Sequence, residues 1–268
     1  MNRFCRTEQR IGPAALAALR AARVSVFGLG AVGSYAVEAL ARAGVGALRL
    51  VDCDTVRPSN FNRQLYALES TLHRPKADVA RERVLDINPD CRVEAIRAFV
   101  DGESAPGLLA PRPDALLDAI DSVGPKTGLL AAAVRAGVPA VSSMGAATRL
   151  DPFQIRVGDL ADTDVCPLAR FVRKRLRRLG IETGIRCVYS LEPPPGETPG
   201  PPDGMEPESF ARGRPRRPIG SLSYATGLFG LLAAYEILRL LIPASLPASG
   251  PSTRAPPRGR RLRTRGGR

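Results

Sequence analysis

The run VFGLGAVGS, from Val26 to Ser34, constrains this 268-residue chain more than any other stretch. A β-rich segment, Arg23 to Phe27, leads into glycines at 28, 30 and 33, and an amphipathic helical pattern follows from about Val32 to Ala43. A second β-rich run, Leu48 to Val51, completes a βαβ unit. Glycines at this spacing let the backbone approach phosphates at a helix N-terminus, where free N–H groups and the helix dipole favour negative charge. Gly28, Gly30, Ala31 and Gly33 are therefore candidate nucleotide contacts.

Strand and helix signals keep alternating downstream. Pro75 to Ile87 reads as a helix, with Pro at its start and Asn88-Pro89 at its stop. Val93 to Phe99 and Ala115 to Asp118 read as strands, Pro125 to Ala136 as a helix and Val138 to Ser142 as a strand. The pattern predicts an α/β, Rossmann-like, doubly wound and mostly parallel sheet, with its ligand at the carboxyl ends of the strands. A C-terminal crossover loop and helix are expected to complete it. Length and 44% hydrophobic content suit one large domain over 1–249, with a proline-rich mobile loop at 193–218 and a disordered Arg-rich tail at 250–268. Tyr224 to Ala244 approaches the length of a membrane span, but Glu236 and Arg239 interrupt it. We read it as a helix buried between the sheet and a dimer partner, not as a membrane span.

The residues after the glycine turn carry the chemistry. Asp52, nineteen residues beyond Gly33, ends a strand where a carboxylate can accept hydrogen bonds from ribose hydroxyls. Asn60, Asn62, Arg63, Gln64 and Lys76 put polar and cationic groups around the phosphate site, as expected when the triphosphate itself reacts. Hydride transfer requires no such cations. The formal charge of +13, from 39 Lys plus Arg against 26 Asp plus Glu, suits an anionic macromolecule, with nucleic acid the first candidate. The same charge is also what an Arg-rich compositional bias produces. The RKRLRR run, Arg173 to Arg178, reads equally as a grip on an RNA backbone or as an exposed helix face. His73, the one histidine, reads as a solvated helix lead-in. The five cysteines form no C-x-x-C pair, and MNRFCRTEQR lacks the apolar run of a signal peptide, so a reducing cytoplasm is expected.

The segments RFCRTEQRIG at 3–12, GLGAVGSYAVEALARAGVG at 28–46, DCDTVRPSNFNRQ at 52–64, RPKADVARERVLDINP at 74–89 and DAIDSV at 118–123 together carry a family resemblance. The chain resembles the ubiquitin-activating-enzyme-like adenylyltransferases, the relatives of ThiF, MoeB and HesA. NFNRQLYAL, LLDAIDSVGPKTGLL, SSMGAATRLDP, CVYSLEPP and GSLSYATGLFGLLAAYEILR extend the resemblance toward the tRNA threonylcarbamoyladenosine dehydratase branch. Relatives that activate sulfur-carrier proteins commonly hold zinc with C-x-x-C pairs, which this chain lacks.

The resemblance implies ATP and Mg2+ as cofactors and tRNA carrying threonylcarbamoyladenosine as substrate. The implied reaction is ATP-dependent cyclisation of that nucleoside at position 37 through carboxylate adenylation. The alternative is adenylation of the C-terminal glycine of a ubiquitin-like sulfur carrier. Arg63 and Lys76 would stabilise the phosphates, with Ser59, Asn60 and Asn62 lining the ribose and phosphate pocket and Ser122 beside them. Asp121 matches the magnesium-associated aspartate, with Asp118 the runner-up. Arg6 resembles an N-terminal arginine finger that reaches the neighbouring subunit's triphosphate, with Arg10 and Arg3 as alternatives, which implies a homodimer. Sulfur- or electron-transfer proteins are further candidate partners. Cys187 is the one cysteine to test as a thioester former, although a small residue on a strand is usually packing. The chain departs from the family at Cys166, where relatives tend to have aspartate, and at Phe153, where threonine is usual.

Overall fold

A computed structural model describes residues 3–196, 219–242 and 244–246. Seven strands form one sheet: β1 (Arg23–Phe27), β2 (Ala47–Val51), β3 (Arg92–Ile96), β4 (Ala115–Asp118), β5 (Ala140–Ser143), β6 (Ile155–Asp159) and β7 (Arg186–Ser190). Their spatial order is β3-β2-β1-β4-β5-β7-β6, parallel throughout except for the antiparallel edge pair β6–β7. Among the described residues, eight α-helices accompany them: α1 (Cys5–Ile11), α2 (Pro13–Ala21), α3 (Gly33–Ala43), α4 (Lys76–Ile87), α5 (Ala105–Leu108), α6 (Val123–Arg135), α7 (Pro167–Arg177) and α8 (Ser223–Leu241). The doubly wound expectation holds, and boundaries shift by a few residues. The strand expected to reach Phe99 stops at Ile96, α6 starts at Val123 rather than Pro125, and β5 starts at Ala140 rather than Val138.

Parallel strands covered on both faces need side chains that are apolar on both sides. β2 and β4 accordingly have every residue buried. One core layer packs Val24, Val26, Leu48, Leu50, Leu117 and Val188 against α3, α4 and α8. The other packs Phe27, Val51, Leu116 and Tyr189 against α6 and α7. Crossovers from β1 run to β2 and β3 on one side, while β4 pairs with β1 on the other. This is the topological switch point at which doubly wound sheets open a crevice.

α8 is the one helix among the described residues long and apolar enough to cross a bilayer. It lies against α3 and strands β4, β5 and β7 instead. Gly230 makes the approach possible: a Cβ there would lie 2.4 Å from the Val32 carbonyl oxygen. The charges that interrupt its sequence also have a structural explanation. Glu236 is fully buried and accepts hydrogen bonds from Arg186 Nη2 at 3.0 Å and Arg239 Nη2 at 3.3 Å. The proline-rich stretch beyond residue 196 and the Arg-rich tail at 250–268 lie outside the described residues.

Candidate active site

The glycine turn leaves β1 at the switch point and enters α3 directly. Gly33, the first residue of α3, packs so closely on the turn that a Cβ would lie 1.8 Å from the Gly28 carbonyl oxygen. No other residue fits there. Gly28, Gly30 and Ala31 complete the loop, which the Asp52 carboxylate holds from the end of β2. Asp52 Oδ2 accepts from the Leu29 N–H at 2.6 Å, and Oδ1 accepts from the Asp54 N–H at 2.8 Å. Burial pushes the Asp52 carboxyl above its ordinary range, against the opposing pull of the Lys76 ammonium.

Lys76 lies 22 residues beyond Asp54 and is nonetheless its partner, with Nζ 3.1 Å from Asp54 Oδ2. A short antiparallel contact brings the two segments together. Thr55 pairs with Pro75, the Val56 N–H donates to the Arg74 carbonyl, and the His73 N–H donates to the Val56 carbonyl. His73 takes the left-handed conformation at φ 63° to make this turn and is exposed, as the solvated lead-in reading expects. Lys76 itself is buried at the first turn of α4.

Between these segments, a 3-10 turn at Pro58–Asn60 carries the asparagines and Arg63. Arg63 Nη1 donates to the Ser59 carbonyl at 2.7 Å and to Asn62 Oδ1 at 2.8 Å, which orients the guanidinium. Asn60 is buried, and its Oδ1 accepts from the Arg57 N–H at 3.2 Å, so its carboxamide closes the turn. Asn62 Nδ2 donates to the Ser221 carbonyl at 2.9 Å, tying the chain just before α8 to this loop. Gln64, also buried, lies beneath Gly30.

On the other side of the crevice, β4 ends at Asp118, and Asp121 and Ser122 lead into α6. Asp118, the runner-up metal ligand, is already engaged within the protein. It is fully buried, and its Oδ2 is occupied by Lys126 Nζ at 2.5 Å and by the Ser142 hydroxyl at 2.6 Å. Lys126 also donates to the Ser143 carbonyl at 3.0 Å, so one ammonium ties α6 to the carboxyl ends of β4 and β5. The exposed Asp121 is thereby the carboxylate of this loop that faces solvent. Sequence reasoning did not single out Lys126. Its signal was present: a lysine with Leu129, Leu130 and Ala133 at i+3, i+4 and i+7 shares their buried stripe, where an unpaired charge would be prohibitive.

Arg6 is not brought to this cluster within one chain. Its helix α1 is fastened at the opposite end of the sheet, where Phe4 packs on Gly44 at the end of α3 and Arg3 Nη1 donates to the Ile87 carbonyl at the end of α4. Cys187 is fully buried on β7, and burial pushes its thiol far up, which disfavours the nucleophilic thiolate. Cys166 is buried at the cap of α7, and Phe153 is 84% exposed near the edge strand.

A glycine turn at the switch point of a doubly wound sheet, followed by Asp52 at the end of β2, is the arrangement of a nucleotide-binding α/β protein. The ThiF family profile matches residues 4–258, and the chain belongs to that family. It is 41% identical over 194 residues to tRNA threonylcarbamoyladenosine dehydratase of Bacillus subtilis, covering 72% of this chain and 76% of that protein. The Escherichia coli enzyme of the same name (TcdA) is likewise 41% identical, over 71% of this chain and 74% of its own length. Its crystal structure in complex with ATP superposes with a TM-score of 0.80 at 35% identity, covering 91% of this chain and 95% of that one. Molybdopterin-synthase adenylyltransferase of Escherichia coli is 32% identical over 87% of this chain and 78% of its own length.

Proposed function

We propose that this protein is an ATP-dependent tRNA threonylcarbamoyladenosine dehydratase that works by adenylating the substrate carboxylate. The carrying observation is the cation-bordered glycine turn in a fold that aligns with the ATP complex of TcdA over nearly its whole length. The carboxylate of the threonyl group attacks the α-phosphate of ATP, forming an acyl–phosphate bond as pyrophosphate departs. The neighbouring carbamoyl group then attacks the acyl carbon, closes the ring and expels AMP, with net loss of one water from the nucleoside.

The chain's part is positioning and charge stabilisation. The turn at Gly28, Gly30, Ala31 and Gly33 would cradle the phosphates, and Asp52 keeps lone pairs for ribose hydroxyls beside the N–H groups it already holds. Arg63 and Lys76 would stabilise negative charge as the α and β phosphates separate. Ser59, Asn60 and Asn62 would line the pocket on one side and Ser122 on the other. Asp121 would hold Mg2+, since its oxygen is a hard donor suited to a cation shared with phosphate, and the ion when bound would offset phosphate charge. The placement of α1 at the far end of the sheet supports Arg6 acting only on a neighbouring subunit, so a homodimer would be the active unit. The expected setting is the cytoplasm.

Incubation with ATP, Mg2+ and tRNA carrying threonylcarbamoyladenosine, followed by mass analysis of the nucleosides, tests the reading. An ATP-dependent loss of one water is expected, and its absence with the modified tRNA intact would refute it. Adenylation of a sulfur carrier uses the same ATP site, but the chain lacks the C-x-x-C pairs expected of that group. Pyrophosphate release that depends on tRNA separates the two.

A further inference from the structure

Helix α7 is amphipathic with a basic outer face. Ala169, Val172 and Leu176 are buried in the core layer beside α6, while Arg170, Phe171, Lys174, Arg175, Arg177 and Arg178 are exposed. Among the described residues, no carboxylate pairs with any of these five cations. Arg173, by contrast, is turned inward and donates to the Thr163 carbonyl. Uncompensated like charges along one short helix repel, so such a face is stabilised by an anionic partner.

The face also has a position. Gly145 follows β5 at the carboxyl edge of the sheet, and a Cβ there would lie 3.4 Å from Cys166 Sγ, so α7 begins at that edge, beside β5. Arg175 Nη1 lies 3.6 Å from where a Cβ on Gly124 would be, which places its guanidinium over the first turn of α6, two to three residues from Asp121 and Ser122. Phe171 is 51% exposed, and the Arg170 guanidinium lies 5.4 Å from its ring centre, so a flat aromatic and a flat cation stand together among the point charges. Cations that track a backbone, together with an exposed ring on which a base can stack, are what single-stranded RNA requires.

We propose that the outer face of α7 binds the RNA substrate next to the reaction centre, with Lys174, Arg175 and Arg178 on phosphates and Phe171 stacked on an unpaired base. The inference rests on the tRNA reading of the active site and names the surface that serves it.

The test measures tRNA affinity by fluorescence anisotropy across a salt series, without turnover, for wild type, K174Q/R175Q/R178Q, F171A and a control triple R81Q/R92Q/R135Q. Single-stranded contacts contribute about 0.7 to the salt slope per phosphate, so the α7 triple should lower the slope by about 2 and weaken binding by about tenfold or more. ATP affinity should stay at the wild-type value. F171A should weaken binding with the slope unchanged. An unchanged affinity and slope in the α7 triple, or an equal loss in the control triple, overturns the proposal. Loss of cyclisation in the wild type, with α7-dependent binding intact, would instead refute the assigned reaction and leave the surface standing.

Discussion

Replacing Lys126 by Met should destabilise the protein more than any change at the visible rim of the site. Lys126 and Asp118 are both fully buried, with Nζ 2.5 Å from Oδ2. Without the ammonium, Asp118 retains the Ser142 hydroxyl at 2.6 Å and the Ile120 N–H at 3.0 Å, but its charge has no counterion and the Ser143 carbonyl loses its donor. Methionine is similar in size to lysine, so the cavity left is small and the cost is chiefly electrostatic. Breaking a buried pair from one side costs about 3–5 kcal/mol. At about 2–4 °C per kcal/mol for a domain of this size, Tm should fall by roughly 6–20 °C. Calorimetry and urea titration measure it, and AMP formation should fall as well, because Lys126 holds the helix that Asp121 and Ser122 introduce. Adding Asp118→Asn removes the stranded charge, so the double variant should regain more than half of the loss. A Lys126→Met cost below about 1 kcal/mol, or a double variant no better than the single, would refute the view that the pair's charges, not its packing, hold α6 to the sheet.

Arg63→Ala and Lys76→Ala should each abolish AMP formation while circular dichroism shows an intact fold; near-normal turnover in either would remove the assigned role. Cys187→Ala should keep full activity, and neither Cys187 nor Cys53, whose thiol is pushed up to about 11 by burial and neighbouring carboxylates, should be alkylated quickly at neutral pH. Mass spectrometry after iodoacetamide checks both, with Cys53 labelling rising only as the pH approaches that value. Burial alone would raise the carboxyl of Glu38, but the Arg83 and Arg42 guanidiniums overcome it and hold its pKa below 4.5. A depressed folded pKa means that this cluster stabilises above the ordinary carboxylate range and loses its contribution as pH falls through the folded value. Arg83→Gln should therefore cost stability at pH 7 and progressively less below pH 4.5; a cost independent of pH in urea titrations would contradict that assignment.

Much of the fold was legible because it is written in local periods. The βαβ unit from Arg23 to Val51 and the helix before Asn88-Pro89 depend on alternation, a 3.6-residue stripe and a stop signal, all read within a dozen residues. Past residue 143 the signal thins. α7 carries so many arginines that only Ala169, Val172 and Leu176 mark its buried side. α1 buries none of its residues and holds its place through the flanking Phe4 and Arg3, which no periodicity encodes.

The sequence by itself pointed to a nucleotide on the turn at Gly28–Gly33, since that spacing leaves the backbone few other uses, and it named Asp52, Arg63 and Lys76 by residue type and Asp121 through the family resemblance. Tertiary structure decided which charges meet. Strand register and helix placement join Lys76 to Asp54, consume Asp118 with Lys126 and Ser142, turn Arg175 toward the first turn of α6, and hold α1 at the end of the sheet away from the crevice. Local preference acts over three or four neighbours. An ion pair in a buried site is settled by which segments the whole sheet brings side by side, because only there is the cost of removing both charges from water offset by contact between them.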